Sequence, residues 1–243
     1  LLQNRIDLTK NFRFENKYVI DFRNRIIIDK HVSSLLVLDR NVETYKEYLV
    51  RSLYFDDYQN TSYFDVVQGI IDRTKYRIRM YNLDKEKIYL EEKNKYIDRV
   101  YKFRTRITYR EYLAIINNDT KFLLKKDDMC RRFYLAYNTR GLKPKMVIEY
   151  IRKPMVYTNS DVRITFDREI KSFSFSNNFF SKNVSKTRLF HSNDVILEVK
   201  YGEYIPGVLT QMFRNFELQR TTFSKYALSF EQLFRRKVTR WSV

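Results

Sequence analysis

The chain has 243 residues, of which 44% are hydrophobic and 16% aromatic, with one cysteine, two histidines, four glycines and three prolines. That composition can bury a sizeable core and excludes a disordered tail. Cys130 excludes an internal disulfide, and with His31 and His191 it cannot build the usual zinc set. Lys and Arg number 47 against 29 Asp and Glu, a formal +18, so an anionic partner is expected, and any metal must lean on carboxylates, as Mn²⁺ or Mg²⁺ does.

In chain order, period-two alternation predicts strands over 12–20, 48–55, 74–82, 87–95, 100–107, 146–152, 161–167 and 194–201. Polar stretches at 82–85 and 96–99 read as hairpin turns, which imply antiparallel pairing. Helices are predicted over 61–71, over 109–117 behind a Thr108/Glu111 capping box, and over 121–138, ending before Gly141. One or two more lie within 206–237, with Leu209, Met212, Phe213, Phe216 and Leu218 as the buried stripe. Residues 21–47 fit neither period, and 173–186 read as an irregular loop. No linker or repeat divides the chain, so residues 1–243 read as a single α+β domain with a large antiparallel sheet. No apolar run approaches the roughly 20 residues of a membrane helix. The chain opens Leu1-Leu2 without methionine, so its start says nothing about a targeting segment.

Side chains two apart on a strand share a face. Lys75, Arg77 and Arg79 share one face, and Tyr76, Ile78 and Met80 the other. Glu91, Lys93 and Lys95 group likewise, as do Lys102, Arg104 and Arg106, Glu15 with Lys17, and Glu198 with Lys200. Arg152 and Arg163 end or begin strands that are otherwise apolar or β-branched. On one strand such a face is ordinarily a solvated outer surface. Repeated over several strands, with Lys and Arg far ahead of Glu, it departs from the mixed-sign surface of a merely soluble sheet. A barrel with these faces inward and helices packed outside accounts for the pattern, inverting the usual small barrel with its apolar lumen.

Two or three glutamates cannot pair with so many cations. Such a lumen must stay wet or hold a highly charged anion, because an unpaired buried ion is costly. A chain of phosphates fits, since Arg forks match phosphate oxygens and Lys acts as a mobile point charge. If the cations are unpaired, Arg77→Ala or Arg163→Ala should weaken stabilisation by polyphosphate and leave the empty protein as stable or more so. Nucleic acid and an anionic membrane surface remain alternative anions, although no helix-turn-helix or RNA-binding motif is present. Cys130 and His191 read as structural. Tyr54, Phe55, Tyr63 and Phe64 read as packing, and Arg235-Arg236-Lys237 as cations at a helix end.

Eight segments in order carry a resemblance: Arg13-Phe14-Glu15-Asn16-Lys17-Tyr18; Arg51-Ser52-Leu53-Tyr54-Phe55-Asp56-Asp57; Lys75 to Tyr81; Tyr89 to Lys95, followed by Lys102-Phe103-Arg104; Pro144 to Arg152; Val162 to Asp167; Ile196 to Lys200; and Ser224-Lys225-Tyr226. Over about residues 12 to 228 the chain resembles the VTC domain, the polyphosphate polymerase branch of the triphosphate tunnel metalloenzymes. The resemblance implies an eight-stranded antiparallel β-barrel tunnel with a basic lumen, and growth of polyphosphate by transfer of the γ-phosphoryl group of ATP with Mn²⁺ or Mg²⁺. It places Lys17, Arg77, Arg79, Lys93, Lys102, Arg152, Arg163 and Lys225 on the phosphates. Glu198 is implied as metal ligand, with Glu15 and Glu91 as second ligands or as partners that orient lysines. Lys95, Arg104 and Lys200 are expected along the tunnel or at its mouth. Broader tunnel enzymes open with Glu-x-Glu-x-Lys, where this chain has Arg13 at the first position, which weakens a hydrolase or cyclase reading. The alternatives kept are a triphosphate or nucleotide hydrolase on the same fold and a non-enzymatic polyphosphate or nucleic-acid binding module. The implied location is cytoplasmic, at the face of a membrane where a membrane-protein partner subunit holds it there.

Overall fold

The alternating segments pair into one antiparallel sheet that closes on itself. The computed structural model describes residues 12–39, 42, 46–176, 179–190, 194–216, 218–222 and 224–235. In order come β1 (Arg13–Ile20), α1 (Phe22–Leu35), β2 (Val37–Leu38), β3 (Tyr48–Asp56), α2 (Thr61–Val67), β4 (Asp72–Tyr81), β5 (Ile88–Tyr96), β6 (Arg99–Ile107) and α3 (Tyr109–Ile116). A 3₁₀ turn (Lys121–Lys125) precedes α4 (Asp128–Thr139), β7 (Lys143–Val156), β8 (Arg163–Ser174), β9 (Thr187–Arg188) and β10 (Val195–Tyr201). Then follow α5 (Gly207–Arg214), β11 (Arg220–Thr221), α6 (Lys225–Phe230) and a π-helical turn (Glu231–Arg235). Neighbours run β7-β3-β4-β5-β6-β1-β10-β8, and β8 pairs back onto β7, so eight strands form a closed barrel. Among the described residues, no helix is long and apolar enough to cross a membrane.

The predicted parity holds. Outward residues Tyr76, Ile78, Met80 and Leu90 are buried under Tyr112 and Ile115 of α3 and Met129 and Phe133 of α4. Across the barrel, Ile164, Phe166, Leu197 and Val199 pack beneath Ile28 and Val32 of α1 and Leu209 and Met212 of α5. Fully burying one such side chain is worth about 2 kcal/mol. A one-residue slip would turn every one of them inward, so the apolar set fixes which residues line the lumen. Of the predicted stripe, Leu209, Met212 and Phe213 lie on α5, while Phe216 and Leu218 follow its end and pack at its edge, and β11 interrupts the helical region predicted over 206–237.

Local chemistry sets the element ends. The Thr108/Glu111 capping box forms in both directions, with Glu111 N donating to Thr108 Oγ1 and Thr108 N to Glu111 Oε2. Residues 21–47 include a helix because Asp21 caps it, accepting from Asn24 N at 2.7 Å. The single helix predicted over 121–138 is divided. Lys126 is extended, and the Asp127 carboxylate accepts from Cys130 N to start α4 afresh. The strand predicted to end at 167 continues to Ser174, which moves Phe173 out of the expected loop. Glu169 has φ +53°, and the β7–β8 register shifts between Glu149 and Ile151, a bulge that breaks the alternation. Cys130 is buried, and burial pushes its thiol up to about 12, consistent with an inert packing role. His191, Arg236 and Lys237 lie outside the described residues.

Candidate functional site

Two cavities, of about 610 and 530 Å³, occupy the barrel. Both are lined by Glu15, Arg77, Arg79, Lys93, Val100, Arg152 and Lys200, so they meet as one tunnel with two mouths. Strand ends sort the remaining lining. One mouth carries Arg13, Tyr48, Tyr81, Tyr89, Lys102, Arg104 and Arg163. The other carries Lys17, Arg73, Lys75, Lys95, Glu198 and Lys225. Of the predicted site residues, thirteen line these cavities, with Lys200 midway and Lys95 and Arg104 toward opposite mouths. The remaining one, Glu91, is fully buried in the wall.

The lumen is more paired than its glutamate count suggested. Arg77 Nε donates to Glu91 Oε2 at 2.8 Å and its Nη1 to the Tyr54 hydroxyl at 2.9 Å. Lys102 donates to Glu91 Oε1 at 2.9 Å. Burial opposes charge on Glu91, but Arg77, Arg79 and Lys102 outweigh it and hold the carboxyl well below its usual range. Glu91 therefore takes the ion-pair arrangement, with both oxygens engaged. Lys93 donates to both oxygens of Glu15, at 3.1 and 2.9 Å. Burial again opposes ionisation of Glu15, while Lys93 and Lys200 bring its pKa down to about 2.

These contacts correct one expectation. Arg77 is not an unpaired cation, so Arg77→Ala would leave Glu91 and Tyr54 short of a partner and would not stabilise the empty protein. Arg163 is also engaged, 2.9 Å from Asp39.

Asp167 is a lumen acid to which the sequence assigned no role. Arg152 grips it through Nε and Nη2, each at 2.7 Å, and Lys225 reaches it at 2.8 Å. Burial disfavours its charge, but Arg152 and Lys225 lower its pKa. Its place two residues beyond Thr165 on the Arg163 face was the available signal. Lys75 was likewise visible on the Arg77 face but was not counted as a site residue. Tyr54, read as packing, and Tyr150 turn their hydroxyls to Arg77 and Arg79.

Glu198 is the lumen carboxylate carried by β10. It meets Arg152 at 3.4 Å and Lys200 at 3.6 Å, both through Oε2, against 2.7–2.9 Å contacts at Glu91 and Asp167. Burial raises its pKa, yet Lys200, Lys17, Arg152 and Lys225 hold it well below the usual range. It is thus a buried, ionised carboxylate, facing Lys17 across β1 and β10.

The lumen is not charged throughout. Val50, Met146, Ile148 and Ile196 share the parity of Arg152 and Glu198 and pack with Tyr226 and Phe230 of α6. The Tyr226 hydroxyl donates to buried Asp56 at 2.5 Å, which fixes the helix that presents Lys225.

A family model described as the VTC domain matches residues 12–234. The chain belongs to the VTC domain family. No curated relative matches this VTC chain by sequence. Its barrel is similar to solved structures of the triphosphate tunnel fold. A candidate adenylate cyclase from Bacillus halodurans is 12% identical, with a TM-score of 0.55, over 93% of this chain and 100% of that one. A candidate adenylyl cyclase from Hippeastrum, described as having a dominant triphosphatase activity, is also 12% identical. Its TM-score is 0.51, over 92% of this chain and 97% of that one. At such identity these likenesses speak for the VTC domain's fold alone.

Proposed function

We propose that this VTC domain is an ATP-dependent polyphosphate polymerase that transfers the γ-phosphoryl group of ATP to a polyphosphate chain inside its tunnel. The observation that carries the reading is the tunnel itself, a basic passage with two mouths that share a central lining. A passage open at both ends suits a reactant that lengthens, because nucleotide and product chain can occupy opposite halves.

The reaction needs no protein nucleophile. A terminal oxygen of the chain attacks the γ-phosphorus, the bond to the β-phosphate oxygen breaks, and ADP leaves with that oxygen. The protein's part is positioning and stabilisation of charge. Arg77, Arg79, Lys93 and Arg152 line both cavities and would hold the reacting phosphates, with Lys17, Lys102, Arg163 and Lys225 on either side. Asp167 pairs with Arg152 and Lys225 and would compete with the phosphates for them.

Among the described residues, no group of three His, Cys, Asp or Glu side chains could hold a metal by itself. The donor set instead suits an ion shared between protein and substrate, as Mg²⁺ commonly is, with Glu198 as its carboxylate and Glu15 in support. Bound there, Mn²⁺ or Mg²⁺ would supply charge neutralisation between the phosphates.

The test is incubation with ATP and Mn²⁺, followed by a gel stained for polyphosphate. A ladder that is lost in Glu198→Gln is expected. Free phosphate without a ladder would move the assignment to the hydrolase. Neither product, with anion binding intact, would leave a binding module.

A further inference from the structure

We propose that the outer face of α1 docks on an anionic lipid bilayer, with Phe22, Ile26 and Ile27 entering the headgroup layer and Arg23 and Lys30 meeting lipid phosphates.

One face of α1 is spent on the barrel. Ile28 and Val32 are buried against the outward residues of β8 and β10. Beside them, Asp29 takes the ammonium of Lys153 on β7 at 2.6 and 2.8 Å, and Arg25 donates to Glu47 at 2.9 Å. The opposite face is a row at four-residue spacing, Phe22, Ile26 and Lys30, with Arg23 and Ile27 forming the row next to it. Phe22, Ile26 and Ile27 are 48%, 55% and 47% exposed. Single exposed apolar side chains are ordinary on a protein surface. Three within two turns, on a helix whose core contact is already made, form a patch.

The available charge on this helix has one sign. Its N-cap Asp21 accepts from Asn24 N, and Asp29 is neutralised by Lys153, so both acids of the segment are committed. Arg23 and Lys30 are exposed, and among the described residues neither makes an ion pair.

Those features select the occupant. A second copy of the chain, docked face to face, would bring Arg23 and Lys30 against their own equivalents. A protein partner needs roughly 800 Å² from each side, of which three half-exposed side chains on one ridge supply a small part. An anionic bilayer needs neither a matching groove nor a large area. Its interface takes the apolar tips of a helix lying in its plane, and its phosphates attract cations near the surface. The long stems of Arg23 and Lys30 let their charged ends stay with the phosphates while Phe22, Ile26 and Ile27 go deeper.

A chain of formal charge +18 is drawn to any anionic surface, so the test reports which face makes contact. Ile27→Cys and, on α4 across the barrel, Leu135→Cys are each labelled with the same polarity-sensitive dye. Both positions are exposed, whereas Cys130 is buried and stays unlabelled. With vesicles of phosphatidylglycerol and phosphatidylcholine at physiological salt, the dye at position 27 should shift to the blue and the dye at position 135 should not. Phosphatidylcholine alone should give little shift at either. In vesicle sedimentation of the unlabelled protein, Ile26→Asn combined with Ile27→Asn should weaken binding about tenfold. Arg23→Gln and Lys30→Gln should weaken it about fivefold each. The melting temperature should not change in any of them. A shift at position 135 as large as that at 27, a shift at neither, or equal shifts on neutral vesicles would overturn the proposal. So would a dimer in ultracentrifugation that Ile26→Asn dissociates, since the face would then belong to a second copy.

Discussion

Filling the empty tunnel with polyphosphate should draw protons out of solution. Burial, together with Arg73, Lys93 and Lys17 and only partly offset by Asp56, lowers the Lys75 pKa to about 7. Lys75 also touches Ser224 and lies over the Tyr226 ring. Burial likewise lowers Lys102 to about 7, where Glu91 favours the charge but Arg79 and Arg77 oppose it. A bound polyanion offsets the field of the neighbouring cations and raises each lysine toward its ordinary value of 10.5.

At pH 8.5 a group with pKa 7 is about 3% protonated and one with pKa 10.5 about 99%. Binding should therefore take up as many as about two protons at pH 8.5 and at most about 0.2 at pH 6. Affinity should fall by up to about tenfold per pH unit for each lysine between pH 7 and 10. Stability of the empty protein should move the other way. Both folded pKa values lie below the unfolded value, so the unfolded chain binds more protons between pH 7 and 10.5. The lysines' contribution to stability therefore rises with pH across that window and is lost as pH falls.

The assay is metal-free calorimetry with long-chain polyphosphate in buffers of different ionisation enthalpy. Lys75→Met and Lys102→Met should each remove as much as about one proton from the count at pH 8.5. An uptake near zero at pH 8.5 in the wild-type protein would refute the reasoning, because the lysines would then be charged in the empty tunnel or out of reach of the chain.

Two further outcomes follow from the pairing inside the barrel. Glu91→Gln strips the shared carboxylate from Arg77, Arg79 and Lys102 and should cost about 3 kcal/mol or more, read as a lower melting temperature that tripolyphosphate partly restores. An unchanged melting temperature would show that these cations do not depend on Glu91. Asp167→Asn should lower the melting temperature as well, yet raise tripolyphosphate affinity by freeing Arg152 and Lys225. Weaker binding in that variant would instead mean that Asp167 is needed to aim them.

The barrel was legible because its strands alternate cleanly. Lys75, Arg77 and Arg79 against Tyr76, Ile78 and Met80 already specify an apolar outside and a charged inside. Legibility ended where a local device broke the period. The bulge at Glu169 hid the second half of β8, and the Asp127 cap split a run with continuous helical spacing. In α1 only Ile28 and Val32 are buried while Ile26 and Ile27 are exposed, so no clean apolar stripe announced the helix. The site was legible as a set of cations but not as a network. Asp167 gains its role from Arg152, 15 residues away, and from Lys225, 58 residues away, and no short motif joins them. The excess of cations over acids was legible and stands, but not that Asp167 and the tyrosine hydroxyls would engage several of those cations.

The most direct test of the central claim is ³¹P NMR of a reaction containing the protein, ATP and Mn²⁺. The account predicts a growing signal from internal phosphates of a condensed chain, matched by ADP and absent with Glu198→Gln. Orthophosphate accumulating in step with ADP, with no internal-phosphate signal, would contradict it.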